Sequence, residues 1–183
     1  MKKTIVLIML ASAVILAIAI VALRGKNAES IIDRYPVYEQ VHIDSSITHP
    51  LLREKILGQM LPPDKENAAN FCAVKVFSSE KISESDYYVY AWVFESVYSD
   101  DGGVLSEDGG ASYPCRFELN KENDTFRVTV AEVPGDGAQY NEDIKKLFPE
   151  YVREEIYNVQ DNGTVKKLGN DTLAQAEEYF GVK

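Results

Sequence analysis

The sequence predicts an α+β fold: an N-terminal transmembrane helix, then one helix, a four-stranded antiparallel meander sheet and two or three short C-terminal helices. Three observations predict it. An uncharged apolar run spans Ile5 to Leu23. Between Phe71 and Val133 the apolar residues recur with period two, the spacing of half-buried strands. After Pro134 the spacing returns to that of amphipathic helices, with capping residues and glycine or proline stops.

The apolar run comes first. "MKKTIVLIMLASAVILAIAIVALRGK" places Lys2 and Lys3 before 19 uncharged residues and Arg24 and Lys26 after them. At about 1.5 Å per residue such a helix covers roughly 28 Å, close to the hydrocarbon thickness of a bilayer. A single segment in lipid must satisfy its backbone internally, which leaves only a helix. The small-x-small triplets lie inside the run, and Lys26 sits two residues before the plausible cleavage exit at Ala28. No cysteine directly follows the run for lipid attachment. The reading favours an uncleaved anchor over residues 1–26, with a cleaved signal and a secreted product as the alternative. Residues 27–47 then form a juxtamembrane linker, with a short extended piece around Val37 to Ile43, and residues 48–183 the extracytoplasmic domain.

The anchor masks how acidic the rest of the chain is. Beyond residue 26 there are 15 basic and 29 acidic residues, a net of −14. That sign argues against nucleic acid and against anionic membrane surfaces as partners. The membrane partner is then the chain's own N-terminal helix, and an envelope protein is the expected class of further partner.

Within the domain, a helix is expected after Thr48, with Pro50 in its first turn and Leu52, Ile56 and Met60 on one stripe. "FCAVKVF" places Cys72, Val74 and Val76 on one strand face. "DYYVYAWVFESVY" is the strongest strand, with Val89, Ala91, Val93 and Val97 opposite Tyr88, Tyr90, Trp92, Phe94 and Tyr98. "SDDGGVLSEDGG" reads as a turn-rich excursion. "SYPCRFEL" and "TFRVTVAEV" come next as strands, Pro114 belonging at a strand end or edge. Asn141 is the expected cap of the next helix, Pro149 its stop or kink. "DTLAQAEEYFG" closes the chain as a short helix with Leu173, Ala176 and Phe180 inward.

Candidate sites are few. "PGDGAQYNED" resembles a glycine loop before a helix, but Glu132, Asp136, Glu142 and Asp143 would repel a phosphate, and the oxygen spacing does not match a calcium loop. Pro134, Asp136, Gly137 and Tyr140 are therefore read as a structural hinge, with Gly135 and Gly137 supplying unusual dihedrals. Cys72 and Cys115, on strands separated by a third, lie two strand spacings apart, about 9.6 Å, beyond the reach of a disulfide. Either both are buried free thiols or the strand order is not a simple meander. His42 and His49 show no partner pattern, and HExxH, GxSxG, CxxC and P-loop motifs are absent. No catalytic residue, metal or cofactor is assigned, and the chain is read as a non-enzyme. In the aromatic stripe, Tyr88 and Tyr98 at the strand ends are the candidate partner contacts, the other rings a second core layer. Asn-x-Thr triplets at Asn123, Asn162 and Asn170 read as turn chemistry.

The stretch from "YYVYAWVFESVYSDDGG" through "ASYPCRFELN" to "VPGDGAQYNEDIKKLFPEYVREEIY" resembles an extracytoplasmic domain of Gram-positive bacteria. It is similar to the domain appended to beta-lactam-sensor-type (antirepressor) membrane peptidases and to small stand-alone membrane-anchored proteins. The chain has neither the zinc peptidase half nor the sensor serine motif, so the resemblance implies a location and a sensory or accessory role, with no activity attached. The expectation is a single-pass, membrane-anchored binding or sensing domain without catalysis. Its alternative is a cell-envelope enzyme whose site assembles only in three dimensions.

Overall fold

A computed structural model describes residues 35–182. The expected anchor and the first part of the linker lie outside the described residues. Among the described residues no helix is long and apolar enough to cross a membrane. The described fold is mixed α+β, with an antiparallel sheet whose strands lie in chain order and four helices.

Among the described residues the sheet has five strands where four are expected. β1 (Glu39–Val41) comes from the linker and pairs with the end of β2 (Ala68–Lys81), Val41 against Ser79 and Glu39 against Lys81. Three residues are too few to carry a period, so only pairing defines it. β3 (Asp86–Asp100) lies between β2 and β4 (Leu105–Glu122), and β5 (Thr125–Glu132) closes the far edge. The β4–β5 turn holds Asn123 and Asp124 at φ of 50° and 60°, the two left-handed positions of a type I′ hairpin.

β4 is longer than its sequence suggests, because "LSEDGG" is strand and not loop. A register shift at Val97/Tyr98 pairs Val97 with Gly109 and Tyr98 with Glu107, leaving Asp108 as the extra residue of a bulge. A Cβ on Gly110 would stand 2.2 Å from the Glu95 carbonyl oxygen, so close backbone approach, not a turn, requires that glycine. Pro114 sits inside β4, opposite Trp92. β5 covers β4 only from Arg116 onward, so β4 is locally an edge there and tolerates the missing donor.

Helices cover both faces. α1 (Ser45–Leu57) starts a turn earlier than Thr48, because Asp44 caps it and accepts from the Ser46 N–H at 2.7 Å. Leu52 and Ile56 pack on the valine face with Cys72, Val74, Val89, Val93, Cys115 and Phe117. A short 3-10 turn (Gly137–Gln139) leads into α2 (Tyr140–Leu147), then α3 (Glu150–Asn158) and α4 (Thr164–Phe180). Ile144, Phe148, Val152 and Leu168 bury the aromatic face around Tyr90 and Trp92. α4 starts about two turns earlier than expected, at Thr164 and not at Asp171. It is launched by left-handed Gly163 and by Asn162, whose side chain accepts from the Thr164 N–H at 3.0 Å. Its inward residues are Leu168, Thr172 and Ala176, while Leu173 is exposed. Gly169 lets the helix settle on the Phe94 ring, which a Cβ there would meet at 3.4 Å.

Candidate functional site: a basic cleft at the open edge of β2

Tyr98 is 6% exposed and packs edge-on against Phe71, so its ring serves the core and offers a partner little surface. Tyr88 is half-buried beneath the Arg116 guanidinium, 4.3 Å from its ring centroid, and packs edge-on with Tyr38. In the hinge, Gly137 has φ of 63°, whereas Gly135 is not in the left-handed region. Gly135 instead donates its N–H to Asp143 Oδ2 at 3.0 Å, and a Cβ there would meet that oxygen at 3.1 Å. Asp136 makes no side-chain cap, and Asn141 lies inside α2 rather than capping it, because the helix already begins at Tyr140. Pro134 lies in the short link between β5 and the 3-10 turn.

The cysteines are free and fully buried on the valine face, in a sheet of simple meander order. Burial pushes each thiol up to about 12, far from the thiolate a nucleophile needs. Among the described residues no three His, Cys, Asp or Glu side chains gather as a metal site would require.

Two polar arrangements emerge that the sequence did not reveal. One is buried beneath the aromatic face. Glu80, 2% exposed, accepts from the Tyr90 hydroxyl at 2.6 Å and the Tyr151 hydroxyl at 2.8 Å. Tyr35 hydrogen-bonds to Tyr90, extending the chain towards the N-terminal segment. Burial pushes the Tyr90 hydroxyl far up, reinforced by its hydrogen bond to Glu80, and Tyr151 is raised to about 12, again chiefly by burial. Their hydroxyls stay protonated and remain donors to Glu80. With every donor committed, this network fastens β2, β3, α3 and the segment before β1 to one another.

The other arrangement is open. A cleft of about 800 Å³ runs between α1 and α4, with the edge of β2 as its floor. α1 contributes His49 and Arg53, β2 contributes Lys75, and α4 contributes Lys167 and Asp171. Asp171 is the one carboxylate lining it among the described residues. His49 is held below its ordinary value of 6.5, first by burial and then by the charges of Lys75, Arg53 and Lys167. The basic groups are therefore close enough to feel one another. Arg53 donates to Gln175 Oε1 at 2.6 Å, and its Nε–H is buried without a partner. Gln175 in turn donates to the Cys72 carbonyl on the strand edge at 3.2 Å. Concentrated positive charge in a chain whose residues beyond 26 carry a net of −14 is an anion-binding arrangement.

The sequence hid this cleft for a definite reason. His49 and Arg53 are four residues apart on a helix, which placed them on one face, but Lys75 is on a strand and Lys167 on a stretch ahead of the expected last helix, to which no element was assigned. The chain matches no protein-family model, no curated protein and no solved structure.

Proposed function

We propose that this protein is a binding domain without catalytic activity, held at the outer face of a membrane by its N-terminal apolar run, and that its ligand is anionic and occupies the cleft between α1 and α4. The observation that carries this reading is the convergence of Arg53, Lys75, Lys167 and His49, against a single Asp171, in an otherwise acidic domain. Like charges held together without compensating carboxylates repel, and an anionic ligand relieves that repulsion. Burial of both thiols supports the non-catalytic part. The apolar run, 19 residues without a charge between flanking lysines and arginine, supports the anchor.

Titration of the protein with poly-L-glutamate, read by fluorescence anisotropy, tests the cleft. Saturable binding that weakens with salt is expected, and about a tenfold loss in a Lys75→Glu, Lys167→Glu variant. Equal binding by that variant, or binding of poly-L-lysine instead, refutes the assignment. Fractionation of the tagged protein, with its mature N-terminus read by mass spectrometry, tests the anchor. An intact Met1 in the membrane fraction, with the domain open to external protease, is expected. A new N-terminus beyond Leu23 in the medium makes the protein a secreted one.

A further inference from the structure

We propose that the cleft takes its ligand as an added strand: an extended, acidic segment of a partner protein pairs with the edge of β2 between Ala73 and Phe77. The proposal rests on the reading of the cleft as an anion site and specifies the form of the anion.

Among the described residues, the edge is unpaired where the cleft lies. β1 pairs with β2 only from Ser79 to Lys81, and a register shift between Val76 and Ser78 separates that paired end from the rest. After Val41 the chain leaves the sheet, because Asp44 caps α1 and turns it across the valine face. Among the described residues, the hydrogen bond that another element makes to this edge is from Gln175, whose amide takes up the Cys72 carbonyl at the end of the cleft. That bond shows which way the main chain points at Cys72. Main-chain groups alternate along a strand, so those of Val74 and Val76 point into the cleft as well. Five residues of edge, Ala73 to Phe77, span about 17 Å, enough to pair an extended segment by main-chain hydrogen bonds, with the flanking walls reading its side chains.

Those walls set the partner's chemistry. Side chains of an added strand alternate between the two faces of the sheet. On one side they reach His49 and Arg53 of α1. On the other they reach Lys167 of α4, and Lys75, which shares the face of Ala73 and Phe77. Both walls are basic, so consecutive Asp or Glu residues suit the cleft better than a strictly alternating pattern. A second copy of β2 is a poor occupant, because it would bring its own Lys75 against this one. An unguarded edge invites such self-pairing, and an edge lysine is a usual deterrent. The same lysine becomes an attraction when the incoming strand is acidic.

The test compares binding of labelled hexa-L-glutamate to the full-length protein with binding of the same peptide N-methylated at every backbone amide. The charge is identical, but the second peptide cannot donate to a strand. Hydrogen exchange at the Val74 and Val76 amides is measured in parallel. Strand addition predicts a loss of about tenfold in affinity on methylation and slowed exchange at both amides with the unmethylated peptide. Equal binding of both peptides with unchanged exchange overturns strand addition while leaving the anion site standing. Binding that survives Lys75→Glu, Lys167→Glu places the peptide elsewhere and overturns the proposal. Binding of neither peptide overturns the anion site and strand addition together.

Discussion

Glu80 carries a stability argument that its position in the sequence does not suggest. It lies within β2 in "FSSEK", where a carboxylate ordinarily faces solvent, yet it is buried and takes both tyrosine hydroxyls. A buried carboxylate is tolerated when charged donors or hydroxyls satisfy its oxygens, and here one hydroxyl serves each. Glu80→Ala removes the carboxylate acceptor of both hydroxyls, leaving Tyr90 its bond with Tyr35 and Tyr151 a 3.5 Å contact with Ser78. Each lost bond to a charged group costs about 1.5–3 kcal/mol, so a loss on the order of 3 kcal/mol is expected from urea denaturation. Glu80→Gln keeps an acceptor and is expected to recover part of that loss. A stability unchanged by Glu80→Ala would show that the network contributes nothing net.

At the scale of the element, the β3–β4 pairing depends on a single missing side chain. Gly110 brings the β4 backbone against Glu95, and the neighbouring bulge at Asp108 re-aims the strand so that Glu107 accepts from Ser96 at 3.0 Å. Gly110→Ala puts a methyl group 2.2 Å from a carbonyl oxygen that has no rotamer to move into. The strand must shift, at a cost of about 1–3 kcal/mol by comparison with overpacked cores. Gly109→Ala, whose Cβ meets nothing within 4 Å, is the matched control and should cost far less. Similar denaturation midpoints for the two variants would contradict this account.

At the scale of the whole molecule, the cleft links folding, protonation and binding through His49. The groups facing it are Arg53 on its own helix, Lys75 on β2, and Lys167 and Asp171 on α4, with His42 on the same cleft wall. Because the folded value is depressed, the unfolded chain binds this proton more readily below about 6.5. The His49 contribution to stability is thus fully present above that pH and is lost as pH falls through the folded value. His49→Gln should remove this acid-side loss, visible as a flatter dependence of the denaturation midpoint on pH below about 6.5. An anionic occupant reverses the field, so hexa-L-glutamate should raise the His49 pKa in an NMR titration of its ring. A His49 titration unmoved by saturating peptide would separate the histidine from the site.

The α+β class, the two faces of β3 and the meander order were all legible in the order of the residues. A period of two with valines on one side and rings on the other admits one arrangement in which both faces are buried, and helices before and after the strands supply one cover for each. The free state of Cys72 and Cys115 on the core side came with the meander, since a strand between them separates their Cα atoms too far. Three features depended on the folded chain. Residues 39–41, inside the extended piece expected around Val37 to Ile43, became a strand of the sheet, because three residues acquire that state only from a partner's backbone. "SEDGG" became a strand, because Gly110 answers to the Glu95 carbonyl, a contact with no local signature. And the basic cleft assembled, because charge is local in space while the sequence records it only as composition, and composition here was acidic. His49, Arg53, Lys75 and Lys167 become one site only when α1 and α4 are laid on opposite faces of the same open edge.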